Sequence, residues 1–573
     1  MIKDIKKIFF LLPAELKVKF FFLLIFIILG TFFEMLSVAL LIPILNIMTG
    51  SVENIVEFLN NNNLNFLINF IETKKILLIF LFIFIFKTFF RLFLVHYQNI
   101  FIFSFFTHLL NGLYKKYIFK DYLFHVENNT SKLIRNLVSE IHQVSVGYMG
   151  AVTSIILEII IISGLMGILL YYKPFEVLSF VFVTSIITLL MVKILNNKSK
   201  TLGENRQKLS LININNIIST FGGIKEIKVN SKEKEIINKF NENTSKLKFN
   251  NYLFQVLTQI PKILLELFVV IAIVFLLFYL LNSNMPSNEI IIFFGLLVGI
   301  FSRVMPSIYK LSSAFVNLNY YKPALDLLYD EIKNFNDEKN SSKLDNKLDI
   351  KSEKLSFKDS IKLKNLTFVY LNNNKTILKN ANLTIKKGEK IGVYGESGSG
   401  KSTLVELLIG LLNPQEGEIL VDDKNIINNK KNWFSKIGYV PQSIYLNDDT
   451  IKNNIFFYEE KKNNNSNKLA EIIKISQLKN IDINKQVGER GIQLSGGQKQ
   501  RVGLARSLYK NSEILILDEA TNALDKYNEE NFLKSVFNIK SNKTYIIISH
   551  KKSLLDKCDR IISLENEKIV EIS

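Results

Sequence analysis

The sequence predicts two joined architectures: an all-α domain of six membrane-crossing helices over residues 1–320, and an α/β domain built on a phosphate-binding loop over 355–573, with a linker at 321–354. Three observations carry that expectation. Apolar stretches long enough to cross a bilayer fill the first half. The segment Gly395-Glu396-Ser397-Gly398-Ser399-Gly400-Lys401-Ser402 is a complete Gly-rich phosphate loop. Downstream stand Leu494-Ser495-Gly496-Gly497-Gln498 and then an apolar run ending in Asp518-Glu519.

Composition agrees. A chain of 573 residues is too long for one domain. A hydrophobic share of 48% with 46 phenylalanines is a membrane-like load. The single cysteine, Cys558, excludes a disulfide framework or a cysteine-based metal centre and reads as a small packing residue. The net charge of +19 would suit nucleic acid if it were gathered on one stripe with interleaved aromatics. The lysines instead spread along the chain, many beside apolar segments where membrane topology places them, so no nucleic-acid partner is expected.

Taken in order, residues 1–18 read as an amphipathic segment at the cytosolic interface. Pro13, Glu15, Lys17 and Lys19 interrupt it, and no small-residue cleavage site follows, so no cleavable signal peptide is expected. A hydrocarbon core of about 30 Å needs about 20 apolar helical residues. Six stretches meet that need: 20–48, 76–106, 146–171, 174–195, 255–281 and 288–312. The long connections 107–145 and 196–254 are rich in Lys and Asn and helical in pattern. Lys3, Lys6, Lys7, Lys17 and Lys19 put the N-terminus in the cytosol. Lys115, Lys116, Lys120, Lys132 and Arg135, with Lys198, Lys200, Arg206 and Lys208, do the same for the two connections.

On the outer side, residues 51–71 suit either a short amphipathic helix on the leaflet or an ordinary polar loop. The stretch from Asp330 to Ser360 is charged and Asn/Ser-rich and reads as a linker. Strand patterns follow at 361–366, 382–385 and 390–394, the last feeding the phosphate loop, with a helix over Ser402–Leu412 beyond it. Strand, Gly-rich turn and helix together make the motif specific.

A triphosphate carries dense negative charge and needs donors that approach closely. Gly395, Gly398 and Gly400 let backbone N–H groups face phosphates at a helix N-terminus, whose dipole favours anions. Ser397, Ser399 and Thr403 complete the cradle, Lys401 is placed for the β- and γ-phosphates, and the Ser402 hydroxyl for Mg²⁺. The strand 514–518 ends in Asp518, a second Mg²⁺ acid, and Glu519 follows where it can polarise a water.

With those residues in place, 361–573 resembles the nucleotide-binding domain of ATP-binding cassette (ABC) transporters, and the six preceding spans resemble the transmembrane domain of type IV exporters. The resemblance implies ATP and Mg²⁺ as cofactors, ATPase activity, and a homodimer in which Ser495, Gly496, Gly497 and Gln498 of one copy face the nucleotide of the other. It also implies that Gln442 senses Mg²⁺ and the transmembrane domain. On the same basis His550 contacts the γ-phosphate, Asp525 links the two sites, and Tyr370 stacks on adenine. Val487–Gly491 matches a segment typical of exporters, and Gly223–Lys228 resembles a coupling helix. Asn522 stands where a serine is commoner, a departure expected to be tolerated. The location implied is a bacterial inner membrane.

Cations inside spans are costly and usually functional. Lys87, Arg91, Lys262 and Arg303 suggest a cavity for a phosphate-bearing substrate, against the alternative that each snorkels or pairs with Glu34, Glu158 or Glu266. Phe33–Ser37, Ile260–Lys262 and Arg303–Ser307 are similar to PglK-like flippases of lipid-linked oligosaccharides. That resemblance implies a polyprenyl-pyrophosphate-linked glycan as substrate, with another membrane lipid such as a lipid A precursor, a drug or a peptide as rivals. A non-transporting cassette protein is opposed by the six spans and by intact Glu519 and His550.

Overall fold

The computed structural model describes the chain apart from residues 1, 41–42, 45–72, 173, 282–286, 346–354, 371–374, 397, 460–465, 523–525, 540–541 and 573. It also leaves out the side chains of 73–74, 168–192, parts of 269–303, 338–345, 526 and 528. The outer segment 51–71 lies outside the described residues. Two compact units result: Met1–Lys120 with Glu127–Asp345, and Asp121–Val126 with Asn346–Ser573.

The first unit is helical. Its opening helix, Ile2–Leu11, is amphipathic, with Ile8 and Leu11 buried. Two charge pairs tie it down, Asp4 to Lys322 at 2.7 Å and Lys7 to Asp326 at 2.6 Å. Long helices follow at Ala14–Ala39, Thr73–Ile118, Gly150–Tyr172, Pro174–Gly222, Glu233–Leu281 and Ser287–Asp345. Among the described residues four stretches are long and apolar enough to cross a membrane: Ala14–Ala39, Lys75–Ile118, Thr130–Gly167 and Glu233–Phe275. The expected spans 174–195 and 288–312 fall in two further helices, where much of the side-chain detail lies outside the described residues.

One expectation needs correction. The linker does not begin at 321 or at Asp330, because the last helix continues to Asp345. Its polar face has partners on the helix Thr73–Ile118. Tyr117 donates to Glu331 at 3.0 Å, Lys116 to the Asn336 side chain at 2.8 Å, and Tyr117 meets Phe335 edge-on. Arg135 and Arg206, counted among the cations of the two connections, also have a packing role. Both are buried beside Glu140, which is fully buried and lies 3.2 Å from the Arg206 guanidinium.

The second unit is α/β. Its strands are β1 (Ser360–Tyr370), β2 (Lys375–Lys386), β3 (Lys390–Tyr394), β4 (Glu416–Val421), β5 (Lys424–Asn425), β6 (Ile437–Val440), β7 (Ile514–Asp518), β8 (Thr544–Ser549), β9 (Arg560–Glu565) and β10 (Lys568–Ile572). An antiparallel sheet has the order β2-β1-β4-β5, and a mostly parallel sheet the order β10-β9-β3-β8-β7-β6. β7 and β8 are near-continuous runs of Ile and Leu because both faces are covered. Trp433 is 1% exposed and donates its indole N–H to Leu408 O at 3.0 Å, so its one polar group is satisfied in the core.

Candidate functional site

β3, β8, β7 and β6 are parallel neighbours, so the segments leaving their C-terminal ends gather on one edge. That edge is where open α/β sheets bind ligands. It brings together the phosphate loop after β3, His550 after β8, Asp518-Glu519 at the end of β7, and Gln442 after β6, residues widely separated in sequence.

The phosphate loop turns through left-handed backbone. Gly400 has φ +101, and a Cβ there would stand 2.5 Å from Ile377 Cγ2, so only glycine fits. Lys401 opens the helix Lys401–Ile409 and is buried, with Nζ donating to the Gly395 and Glu396 carbonyls, both at 2.7 Å. The ammonium is thereby held across the mouth of the loop. Ser399 Oγ is buried and has no hydrogen-bond partner among the described residues. A buried hydroxyl with an unused donor, inside a loop of backbone N–H groups at a helix N-terminus, suits a phosphate oxygen. Tyr370 ends β1, its hydroxyl 3.3 Å from Thr403 Oγ1. Ser402 lies on the exposed side of the first helical turn. Ser397 and Asp525 lie outside the described residues.

The acids differ in environment. Asp518 is buried, and burial is the main reason its pKa is raised, with the Glu519 charge adding to the effect. A hydrogen bond from Tyr439 Oη at 3.0 Å and the charge of Lys401 oppose the shift. Glu519 sits at φ +48, a left-handed conformation that costs a non-glycine residue about 1 kcal/mol or more. Its Oε2 accepts from Gln442 Nε2 at 2.6 Å and from Asn522 Nδ2 at 2.7 Å, and His550 Nδ1 lies 4.0 Å from Oε1. One carboxylate thus receives two amides and faces an imidazole, a geometry that fixes its orientation.

Ser495 caps the helix Gly496–Tyr509 in a reciprocal capping box with Gln498, leaving Gly496 and Gly497 in the first turn of a helix N-terminus. Three contacts escaped the sequence reading. Asn522 was treated as a tolerated departure, yet it holds Glu519; its position three residues beyond the acid was the available signal. Tyr439 carries no role in the sequence reading, yet its hydroxyl donates to Asp518. The short helix Tyr122–Glu127 was read as part of a connection, yet residues 121–126 belong to the nucleotide unit. Tyr122 Oη donates to Glu406 at 3.2 Å, and Leu123 packs on the core around β1, β2 and β3. The helix Ile224–Val229, in the Gly223–Lys228 segment, has no buried residue.

Among the membrane helices, a cavity of about 210 Å³ is lined by Glu34, Lys87, Arg91, Glu158, Lys310 and neighbours. Lys87 and Arg91 therefore do meet at one place. Lys87, however, is engaged, with Nζ 3.3 Å from Glu34 and 3.0 Å from Ser37 Oγ, and Lys310 lies 3.3 Å from Glu158. Two acids and three cations leave a local charge of +1. Lys310 was missed because it follows Pro306, beyond the cation that the sequence singled out. Lys262 is not brought to this cavity and lies over the Tyr309 ring at 5.7 Å. The Arg303 side chain lies outside the described residues.

A helical unit with membrane-length apolar helices and a phosphate-loop domain with paired acids define an ATP-dependent membrane protein. Comparisons give its family. The ABC transporter transmembrane region matches residues 20–305 and the ABC transporter nucleotide-binding model matches 378–522. The chain belongs to the ABC transporter family. It shares its fold with the solved structure of a bacterial Atm1-family ABC exporter with ATP bound, at a TM-score of 0.76 and 18% identity over 98% of this chain and 95% of that one. It is 42% identical over 217 residues to the leukotoxin translocation ATP-binding protein LktB of Mannheimia glucosida, covering 37% of this chain and 30% of that protein. It is 36% identical over 219 residues to an ATP-dependent lipid A-core flippase of Methylobacillus flagellatus, covering 37% of each. These matches span about a third of the length of the curated relatives.

Proposed function

We propose that this chain is an ATP-hydrolysing exporter of a bacterial inner membrane. It works as a homodimer and moves an amphiphile, a polyprenyl-pyrophosphate-linked oligosaccharide, from the inner to the outer leaflet. The observation that carries the ATPase reading is the convergence of Lys401, Asp518, Glu519, Gln442 and His550 on one sheet edge. Lys401 and the loop N–H groups bind the phosphates, and Tyr370 supports the base. Glu519, aimed by Gln442 and Asn522, accepts a proton from the attacking water, and His550 faces the same point. Asp518, Ser402 and Gln442 supply oxygens that suit Mg²⁺, a hard cation usually held by one or two carboxylates plus substrate phosphates. When bound, that ion neutralises charge developing on the phosphates. Ser495–Gln498 and Asp525 act at the partner copy's nucleotide.

The substrate reading rests on the charged cavity. Arg91, Lys87 and Lys310 offer cations where the bilayer interior would otherwise exclude them, and a diphosphate is the amphiphile headgroup that would use them. The pairing of Lys87 with Glu34 and of Lys310 with Glu158 sharpens the idea, because the diphosphate competes with two carboxylates and leaves when they win back their partners. The match to a lipid A-core flippase supports a lipid in general and is confined to about a third of the chain.

The test is ATP-driven flipping of a fluorescent polyprenyl-pyrophosphate oligosaccharide in proteoliposomes. The triple variant K87Q/R91Q/K310Q, which removes the three cations of the cavity, should lower flipping tenfold or more relative to ATP turnover. Transport of that lipid at the unmodified rate would rule out the phosphate role, and transport of only a neutral amphiphile would rule out the substrate class.

A further inference from the structure

A second cavity adjoins the charged one. Its volume is about 450 Å³, within the range of roughly 300–1,000 Å³ usual for small-molecule pockets. Gln98, Ser154 and Lys310 line both, so the two are neighbours. Their chemistry differs sharply. The larger cavity has no Asp or Glu in its lining and a single lysine, Lys310. It is walled instead by side-chain amides, Gln98, Asn99, Gln143 and Asn317, with aromatic faces from Tyr309 and Tyr321 among others.

Much of this polarity is unspent. Gln98 uses Nε2 on Thr153 Oγ1 at 2.8 Å, and Asn99 uses Nδ2 on Val95 O at 2.9 Å, which leaves each amide oxygen for another donor. Among the described residues, the Gln143 and Asn317 amides hold no side-chain hydrogen bond. A cluster of amides that donate and accept, set among aromatic faces and without net acid, is poor at binding ions. It suits a neutral polyhydroxylated group, whose hydroxyls pair with amides and whose C–H faces rest on rings. Position along one helix separates the two groups as well: at about 1.5 Å per residue, Gln98 stands roughly 16 Å beyond Lys87.

We propose that the cavity of Gln98, Asn99, Gln143 and Asn317 is a subsite for the uncharged sugar residues of the transported lipid, beside the charged cavity that takes its diphosphate. This inference rests on the substrate class proposed above and adds a residue-level basis for sensing the glycan.

The experiment uses the full-length protein in lipid nanodiscs and measures ATPase rate against two added lipids, a polyprenyl pyrophosphate bearing a neutral oligosaccharide and the same polyprenyl pyrophosphate without sugar. In the unmodified protein the glycan-bearing lipid should act at lower concentration. In Q143L/N317L its half-saturating concentration should rise tenfold or more relative to that of the bare lipid. N317Q, which keeps an amide, should restore part of the difference when paired with native Gln143. An unchanged ratio in Q143L/N317L, with both lipids still acting, overturns the subsite and leaves the diphosphate reading standing. A protein that responds to neither lipid overturns the substrate class, and this subsite with it. If the double variant does not yield a monodisperse dimer, Q143L alone carries the comparison, with a threefold shift in the same ratio as the threshold.

Discussion

The ATP site and the membrane cavity use the same kinds of side chain in opposite ways. At the ATP site each charged group has one orientation imposed by its neighbours. Glu519 is clasped by two amides, Asp518 by the Tyr439 hydroxyl, and Lys401 by two loop carbonyls. In the membrane cavity the charges neutralise one another, Lys87 with Glu34 and Lys310 with Glu158, and Arg91 stands beside them. A site fixed in advance serves one invariant reaction, because donors aimed at the reacting atoms need no reorganisation. On the substrate reading proposed above, a site of exchangeable ion pairs suits capture and release, because whatever binds must be given up again.

That contrast can be broken most directly at Glu519. E519Q retains the size of the side chain and removes its basicity, so ATP binding should persist while turnover falls by ~100- to 10,000-fold. Single-turnover hydrolysis and nucleotide binding, measured on the same sample, check it. Near-normal turnover would mean that the clasped carboxylate is architecture.

Next in size is the buried ion pair of Lys87 and Glu34, whose side chains are 4% and 9% exposed. Removing one partner of a buried pair strands the other, at a cost of about 3–5 kcal/mol. K87Q alone should therefore lower stability in detergent by that order, and E34Q/K87Q should recover most of it. Equal stability of the single and double variants would show that the pair contributes little to the fold.

A smaller effect is expected at Tyr439. Y439F deletes the donor to Asp518, and hydrogen bonds to charged groups are worth about 1.5–3 kcal/mol. The apparent Mg²⁺ requirement of the ATPase should rise by about tenfold or more. Its pH dependence has a defined sign. The pKa of Asp518 is already raised by burial, so its proton competes with the metal from a higher pH than at an ordinary aspartate. Mg²⁺ affinity should weaken as pH falls, and should do so sooner in Y439F. For the metal-free fold the sign is reversed. A carboxyl whose pKa is raised on folding contributes stability below its unfolded pKa and loses it as pH climbs through the folded one.

The smallest effect concerns Cys558, whose thiol pKa is pushed up to about 12, chiefly by burial. Iodoacetamide at pH 8 should label the folded protein slowly and the denatured protein fast, with little change in ATPase rate. Rapid labelling of the native state would place this thiol outside the packed core that the fold assigns to it.

Legibility in the sequence follows the same division. The phosphate loop, the strand into Asp518-Glu519, the capped Leu494–Gln498 segment and His550 could be read because contiguous residues carry their geometry. Tyr439, Asn522 and Tyr122 could not, since each acts through a partner that only the sheet order or chain return brings near. In the membrane half, hydropathy gave the helices and intramembrane charge gave Lys87 and Arg91. It offered Glu34 only as one of three acids that could pair with these cations, and the choice among them depends on the rotation of two helices. The helical continuation to Asp345 was hidden by the charges beyond Asp330, where side-chain contacts to the neighbouring helix hold it, although Ala324, Leu325 and Leu328 before them are buried.

The return of the chain at residues 121–126 also sets where the nucleotide unit can be cut. A fragment beginning at residue 346 would keep every phosphate-handling motif, yet it would lose the hydroxyl that Tyr122 gives to Glu406 and bare the apolar seat of Leu123. Excised in that way, the piece carries a surface that its own polypeptide normally covers, and it should self-associate or bind a supplied peptide of sequence 118–128. The gene segment and the cooperative folding module are therefore different objects in this protein, and truncation studies need to respect the second.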